Sequence, residues 1–194
     1  KENVSAVGWK SDGTILTFIA ARGDGASPQV WMIPVDGGEA VQVTRTETGG
    51  TSYAWNPAGN KIAYVSTTGK SAKEKKLEGS GYGFVYFEED LKHRNLYLAD
   101  MGKSGLIGSP QQLTKDMTVW SFVFSPDGKS IAVAASPRNH VDDSYMFQKI
   151  HLLNIESKSL KQLSTNPGKL GNFAFSPDGK YLAYAAALER KDHA

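Results

Sequence analysis

Histidine and acidic side chains are the residues of this chain that could bind a metal ion, but their spacing does not favour one. No two of the four histidines stand at the spacing of zinc ligands; they are His93, His140, His151 and His193. His140 is followed by Asp142 and Asp143, so this segment either binds a divalent cation or forms a solvated polar loop. We expect the polar loop, and we predict no metal site.

Residues for nucleophilic catalysis or phosphate binding do not occur at the required spacings. A serine hydrolase carries its nucleophile in a Gly-x-Ser-x-Gly turn between a strand and a helix, and the sequence has no such motif. Three Gly-Lys-Ser triplets begin at Gly69, Gly102 and Gly128, but none has the glycine five residues earlier that a phosphate-binding loop requires. We therefore predict neither catalytic residues nor a cofactor site.

One pair of adjacent glutamates could bind a cationic group. Glu88 and Glu89 directly follow Tyr86 and Phe87. Adjacent carboxylates suit a cationic group because both accept charge-assisted hydrogen bonds. Glu88 and Glu89 therefore form either an ordinary salt bridge, on the surface or between domains, or a site for a cationic ligand.

Composition excludes several classes of protein. The 194 residues carry 22 Lys and Arg against 20 Asp and Glu, and a net charge of +2 gives no broad basic surface for DNA or RNA. The absence of cysteine excludes disulfides and thiolate metal sites. No apolar run approaches the roughly 20 residues of a membrane helix, so we expect a soluble protein with no membrane partner, periplasmic or cytoplasmic. Since the chain starts Lys1-Glu2-Asn3, we expect a piece of a longer protein.

Four segments of the chain share one pattern, in which two apolar positions precede a turn that ends in glycine. The segments cover residues 7–13, 53–59, 122–128 and 173–179. Side chains two residues apart lie on the same side of a strand, and Ser-Pro-Asp-Gly is typical of a tight turn. Each segment therefore predicts strand, turn and strand. We interpret Asp12, Asp127 and Asp178 as turn residues rather than calcium ligands.

Two further patterns follow each complete hairpin. A third apolar strand comes first, and then a short fourth strand that closes at residues 42–44, 112–114 and 162–164. Four antiparallel strands, A to D in chain order, make one propeller blade. The fourth copy stops after strand B. We predict an all-β fold, a partial β-propeller with three complete blades and about half of a fourth. It forms one domain over 1–194, with blades at about 4–44, 51–114, 119–164 and 171–186 and an insertion at 67–94.

Two polar segments have a plain structural interpretation within these blades. His151 stands at the strand-C position that Trp31 and Tyr97 fill in other blades, so we expect it to be packed within the blade. Residues 71–78 mix both signs of charge, which predicts a hydrated loop or a short helix.

The Phe-Ser-Pro-Asp-Gly-Lys hairpins, with Gln-Leu-Thr ending the preceding blade, resemble the repeat of TolB-type propellers. The same repeat occurs in the N-terminal propellers of prolyl-oligopeptidase-like (S9) serine peptidases, and the long insertion before Leu96-Tyr97-Leu98 is similar to that of acylaminoacyl and dipeptidyl peptidases. This resemblance implies a separate C-terminal α/β-hydrolase domain as partner, with the propeller filtering short peptide substrates. A TolB-like protein-interaction module is the alternative. A propeller-fold polysaccharide lyase would need a histidine cluster that these blades do not show.

The joins between strands B and C differ most in length between blades, so we expect function on the face that carries them. This B–C face bears the joins 21–28, 67–94 and 136–147, and long loops on a rigid scaffold commonly bind ligands. Aromatic residues of the insertion either contact a partner or pack on the blade. The resemblance to dipeptidyl peptidases implies a glutamate pair that holds a peptide's free ammonium. We accordingly predict peptide or partner contacts at Tyr82, Tyr86, Glu88 and Glu89. Unpaired strand edges also predict self-association of the chain.

Overall fold

The computed structural model describes residues 3–23, 25–83, 91–102 and 108–190, and it confirms the predicted all-β fold. Three antiparallel sheets have four strands and a fourth sheet has two, each in chain order. The first is formed by β1 (Val4–Trp9), β2 (Ile15–Ala20), β3 (Gln29–Pro34) and β4 (Val41–Gln42). The second is formed by β5 (Gly50–Trp55), β6 (Lys61–Thr67), β7 (Arg94–Asp100) and β8 (Gln111–Gln112). The third is formed by β9 (Thr118–Phe124), β10 (Ser130–Ser136), β11 (Lys149–Asn154) and β12 (Leu160–Gln162). The last is formed by β13 (Leu170–Phe175) and β14 (Leu182–Ala186).

The predicted turn residues form the A–B turn of every blade. The backbone N–H of Gly128 donates to the Ser125 carbonyl at 2.9 Å, and its φ of +69° is a left-handed conformation that glycine adopts without strain. The Asp127 carboxylate accepts hydrogen bonds from the Ser125 hydroxyl and the Lys129 N–H, which lower its pKa. Blade 2 has alanine in place of this aspartate, and there Asn56 Oδ1 accepts from Asn60 N and Lys61 N instead.

The fourth strands end earlier than predicted. β4, β8 and β12 stop at the glutamine of each Gln-x-Thr/Ser motif, and the motif's last two residues leave the sheet. The reason is a side-chain cap: the hydroxyl of Thr114 accepts a hydrogen bond of 2.9 Å from the backbone N–H of Leu96, the third residue of β7. Thr44 and Ser164 make the same bond to Val30 and Ile150. The motif therefore fastens the end of each blade to its own third strand.

Neighbouring sheets pack face to face through alternate residues of their strands. Ile19 and Val30 of the first sheet share a buried cluster with Ile62 of β6. Val65, on the opposite face of the same strand, joins Ile131 of β10 in a second cluster. Because β6 is covered on both faces, its sequence is apolar at consecutive positions. Complete burial of one such side chain contributes about 1.5–3 kcal/mol, so these two clusters hold the blades together.

The opposite face of the first sheet is covered by a cation. The Arg22 guanidinium lies over the rings of Phe18 and Trp31, 5.4 and 4.7 Å from their centroids. Trp31 is fixed by a 3.0 Å hydrogen bond from its indole N–H to the Ala20 carbonyl.

Two short helices lie in the B–C joins of blades 2 and 3. α1 (Ala72–Gly79) is the short helix of the two alternatives that the sequence left open for residues 71–78, and α2 (Val141–Met146) forms where we expected a polar loop around His140. His151 packs within its blade as predicted, since it is half-buried and its Nδ1 lies 3.1 Å from the Lys149 carbonyl. Among the described residues no helix is long and apolar enough to cross a lipid bilayer.

Candidate functional site

A positively charged residue lies at the B–C face, next to the first strands of two blades, which we call the inner strands. Arg94 begins β7, and its Nη2 donates a 3.0 Å hydrogen bond to Thr51 Oγ1 on the inner strand β5. Its guanidinium lies 5.2 Å from the ring centroid of Trp120, on the inner strand β9 of the next blade. We call Thr51, Arg94 and Trp120 the Arg94 cluster.

Among the described residues, the Arg94 cluster holds a charge without a counter-charge. Arg94 Nε is buried and has no hydrogen-bond partner, and in the described residues no carboxylate lies within ion-pair distance of its guanidinium. Burial lowers the pKa of Arg94 below its usual value. The Ser52 hydroxyl, beside Thr51 in the chain, is also buried without a partner.

Trp120 is held rigidly beneath the arginine. Its indole N–H donates a 2.8 Å hydrogen bond to Ser136 Oγ, and that hydroxyl donates to the Arg138 carbonyl at 2.8 Å. The ring is therefore fixed by the end of β10 and by the join that follows it. A rigid aromatic surface holds the planar guanidinium in one orientation.

The helical part of the long join is tied to the blade. Ser71 and Glu74 form a capping box at the start of α1, with the Ser71 hydroxyl accepting from the Glu74 N–H and the Glu74 carboxylate accepting from the Ser71 N–H. Glu74 also pairs with Lys92 at 2.6 Å, and the hydrogen bonds from Lys92 and Ser71 lower the pKa of Glu74 to about 2. Lys75 of the same helix pairs with Glu47 at 2.8 Å. These contacts place α1 over the edge of blade 2.

The end of this join is also bonded to blade 3. His93 Nδ1 lies 3.0 Å from Thr118 Oγ1, and Asn139 donates a 2.8 Å hydrogen bond to the Lys92 carbonyl. The surroundings of Arg94 are therefore formed by residues of two blades. The pattern of a single repeat does not reveal these contacts, because the partners lie in different repeats.

Residues around α2 form an ion pair of structural character. The Asp143 carboxylate is 2% exposed and lies 3.1 Å from Arg138 Nη2, without the geometry of a hydrogen bond. His140 occupies the N-cap position of this helix. Across the described residues, no group of three histidine, cysteine or acidic side chains is arranged to hold a metal ion.

A cleft of about 620 Å³ lies along the inner strands, on the side of the A–B turns. Its walls come from β1, β5 and β9 and carry the paired apolar positions of the repeat, among them Trp9, Tyr53, Trp55, Phe122 and Phe124. The Tyr53 hydroxyl donates to the Ala6 carbonyl at 2.7 Å, and the Trp55 indole donates to Thr17 Oγ1 at 3.1 Å. The sequence showed these paired apolar positions but not that those of three blades face one cleft.

The structure describes one of the four predicted contact residues. Tyr82 follows α1, and its side chain is 64% exposed. Tyr86, Glu88 and Glu89 lie outside the described residues. Contact of these four residues with a peptide or partner stays a prediction. Arg94, which sequence reasoning did not select, is the residue whose environment is most unusual.

Comparison with known proteins finds similar blades in peptidases and in TolB proteins. No protein-family model matches the chain. The uncharacterized peptidase YuxL of Bacillus subtilis is 29% identical over 186 residues, which cover 96% of this chain and 22% of YuxL. A putative TolB of Agrobacterium tumefaciens superimposes with a TM-score of 0.64 at 18% identity, over 96% of this chain and 55% of that one. An acylaminoacyl peptidase of Pyrococcus horikoshii gives 0.59 at 16% identity, over 97% and 29%.

The chain has the fold of a TolB-type propeller. The resemblance drawn from the Ser-Pro-Asp-Gly repeats is thereby confirmed for the fold, and peptidases share that fold with TolB. This propeller spans about a fifth of YuxL and about half of the TolB chain.

Proposed function

We propose that this propeller is the non-catalytic domain of an S9-type serine peptidase, where it filters and positions short peptides for an α/β-hydrolase domain. The supporting observation is the 29% identity to a peptidase along 96% of the chain, which leaves most of that relative's length for other parts. The same residues carry no nucleophile elbow, so the chemistry belongs elsewhere in the protein.

The B–C face supports a filtering role because the described parts of its longest join are held in place. α1 is fixed to blade 2 by the Glu74–Lys92 and Lys75–Glu47 pairs, and Lys92 is bonded to blade 3. A fixed obstruction at one end of a propeller limits the size of what can pass. In this proposal Tyr82 and Tyr86 contact the peptide backbone, and Glu88 and Glu89 bind its free ammonium.

The first experiment asks whether the full-length protein encoded by the gene is a serine peptidase. It is treated with a fluorophosphonate probe, and the labelled residue is mapped by mass spectrometry. We expect one labelled serine within a Gly-x-Ser-x-Gly motif outside residues 1–194, together with hydrolysis of short peptide p-nitroanilides. A folded full-length protein that is neither labelled nor active contradicts the proposal.

The second experiment tests the filter. Residues Ala72–Gly79 are replaced by a glycine–serine linker of equal length in the full-length protein. We expect the ratio of kcat/KM for a peptide of about 20 residues to that for a tripeptide to rise. The control places the same linker chemistry at residues 156–158, in the β11–β12 turn on the opposite face. An equal change in both variants argues against a filter at α1.

The glutamate pair is tested in the same enzyme. The double substitution Glu88→Gln and Glu89→Gln is expected to abolish any preference for a free amino terminus over an acetylated one. An unchanged preference assigns the pair to an ordinary salt bridge.

The alternative function is a TolB-like interaction module without a peptidase. The TM-score of 0.64 to TolB is compatible with this function as well, since the fold alone does not distinguish the two. The fluorophosphonate experiment decides between them.

A further inference from the structure

We infer that the Arg94 cluster binds the carboxylate of a peptide ligand, either its C-terminal carboxylate or an acidic side chain near that end. This inference rests on the proposed peptide-handling function and adds a specificity-determining residue to it. The charge, the burial and the unused hydrogen-bonding capacity of one arginine support it.

Arg94 has more donors than its surroundings satisfy. A guanidinium presents five N–H groups, and in the described residues one of them is engaged, by Thr51 Oγ1. Its Nε is buried with no acceptor. Buried polar groups normally have partners, and a partly buried charge without a counter-ion is unfavourable. A bound anion would offset that cost.

The position of the guanidinium also fits a ligand site. Its two neighbours, Thr51 and Trp120, stand on the first strands of adjacent blades, so the charge lies between two blades at the B–C face. Thr51 is exposed, which leaves this side of the cluster open to solvent. A ligand at the B–C face is therefore able to reach the guanidinium from the Thr51 side.

The chemistry of the site favours a carboxylate. A planar guanidinium in a fixed orientation forms paired hydrogen bonds with a carboxylate, and Trp120 supplies that orientation.

The test measures binding and hydrolysis by the full-length protein with three forms of one tetrapeptide that has a free amino terminus. One has a free C-terminal carboxylate, one is amidated, and one is amidated with glutamate as its last residue. Binding of fluorescein-labelled versions is followed by polarisation, and kcat/KM is measured in parallel. We expect the free acid or the glutamate peptide to bind about tenfold or more tightly than the plain amide, since a hydrogen bond to a charged group has that strength.

Substitution of the arginine separates this role from simple packing. Arg94→Gln is expected to abolish the preference, while Arg94→Lys retains the charge and part of the preference. Arg22→Gln is the matched control, because Arg22 also stacks on a tryptophan but on the face of the first sheet that is turned away from blade 2. If Arg94→Gln fails to fold, the wild-type preference is measured from 50 to 500 mM salt, and it should fall steadily.

The outcomes distinguish the two hypotheses. A preference for the free acid alone identifies the C-terminal carboxylate as the ligand, and a preference for the glutamate peptide alone identifies a side chain. Hydrolysis with equal affinity for all three peptides, unchanged by Arg94→Gln, overturns this inference and leaves the proposed function standing. Failure to bind or cleave any peptide overturns both.

Discussion

The hydroxyl at the end of each blade gives a sharp prediction about stability. Thr114 is 4% exposed, and its Oγ1 accepts a 2.9 Å hydrogen bond from the N–H of Leu96, which is completely buried. The substitution Thr114→Val keeps the shape of the side chain but removes the acceptor. The Leu96 N–H then remains buried without a partner, and a group left in this state costs about 1–3 kcal/mol.

The matched control is Thr114→Ser, because blade 3 carries serine at the equivalent position. There Ser164 is fully buried and accepts a 2.8 Å bond from the Ile150 N–H, so serine is able to make this contact. Thr114→Ser loses one buried methyl group, for which about 1 kcal/mol is typical. We therefore expect Thr114→Val to be the less stable variant, although it is the more apolar one.

The assay is urea unfolding followed by tryptophan fluorescence. For a domain with an m-value of about 2 kcal/mol/M, a loss of 2 kcal/mol lowers the transition midpoint by about 1 M. Thr44→Val in blade 1 should behave in the same way, since Thr44 makes the equivalent bond to Val30. A Thr114→Val protein as stable as the wild type, or more stable than Thr114→Ser, would refute the capping role.

Three further predictions concern turns, titration and strand edges. Gly128→Ala should lower the free energy of unfolding by about 1 kcal/mol because of its positive φ, whereas Gly79→Ala in α1, with open space around it, should not; thermal unfolding of both variants checks this. Burial lowers the pKa of His151, so the unfolded chain takes up a proton that the folded chain does not bind. The contribution of His151 to the free energy of unfolding is therefore fully present above about pH 6.5 and falls below it by at most about 1.4 kcal/mol per pH unit. The variant His151→Tyr should remove this loss, which urea titrations at pH 7.5 and 5.5 check. Residues 1–194 alone should associate as the protein concentration rises, since β14 pairs only with β13 among the described strands and leaves one edge open. Ala183→Lys should weaken this association, which sedimentation experiments measure. Equal average masses for the wild type and the variant would contradict association through the β14 edge.

The repeat was readable from sequence because its causes are local. The turn at Ser125–Gly128 depends on a glycine with positive φ and on an aspartate that bonds within two residues. The glycine recurs in all four blades and the aspartate in three of them, so four copies in register predicted both the strands and their order. The ends of the fourth strands were less predictable, because Thr114 leaves the sheet to cap a strand 18 residues earlier.

Most of the candidate site could not be predicted from the sequence pattern. Sequence directed attention to the B–C face through the lengths of its joins, and it selected Tyr82 by residue type. Arg94 reads as an ordinary charged residue at the start of a strand. Its unusual state comes from Thr51 and Trp120, which are 43 and 26 positions away in the chain.

The sequence by itself determined the strand order, the turns and the absence of a nucleophile elbow, because each depends on residues close together in the chain. Only the tertiary structure decided which charges found partners. Blade packing brings side chains of separate repeats together at the B–C face. There it places the Arg94 guanidinium against Trp120, with its Nε buried and no carboxylate beside it in the described residues. Burial and pairing depend on distances in space, and spacing along the chain does not encode them.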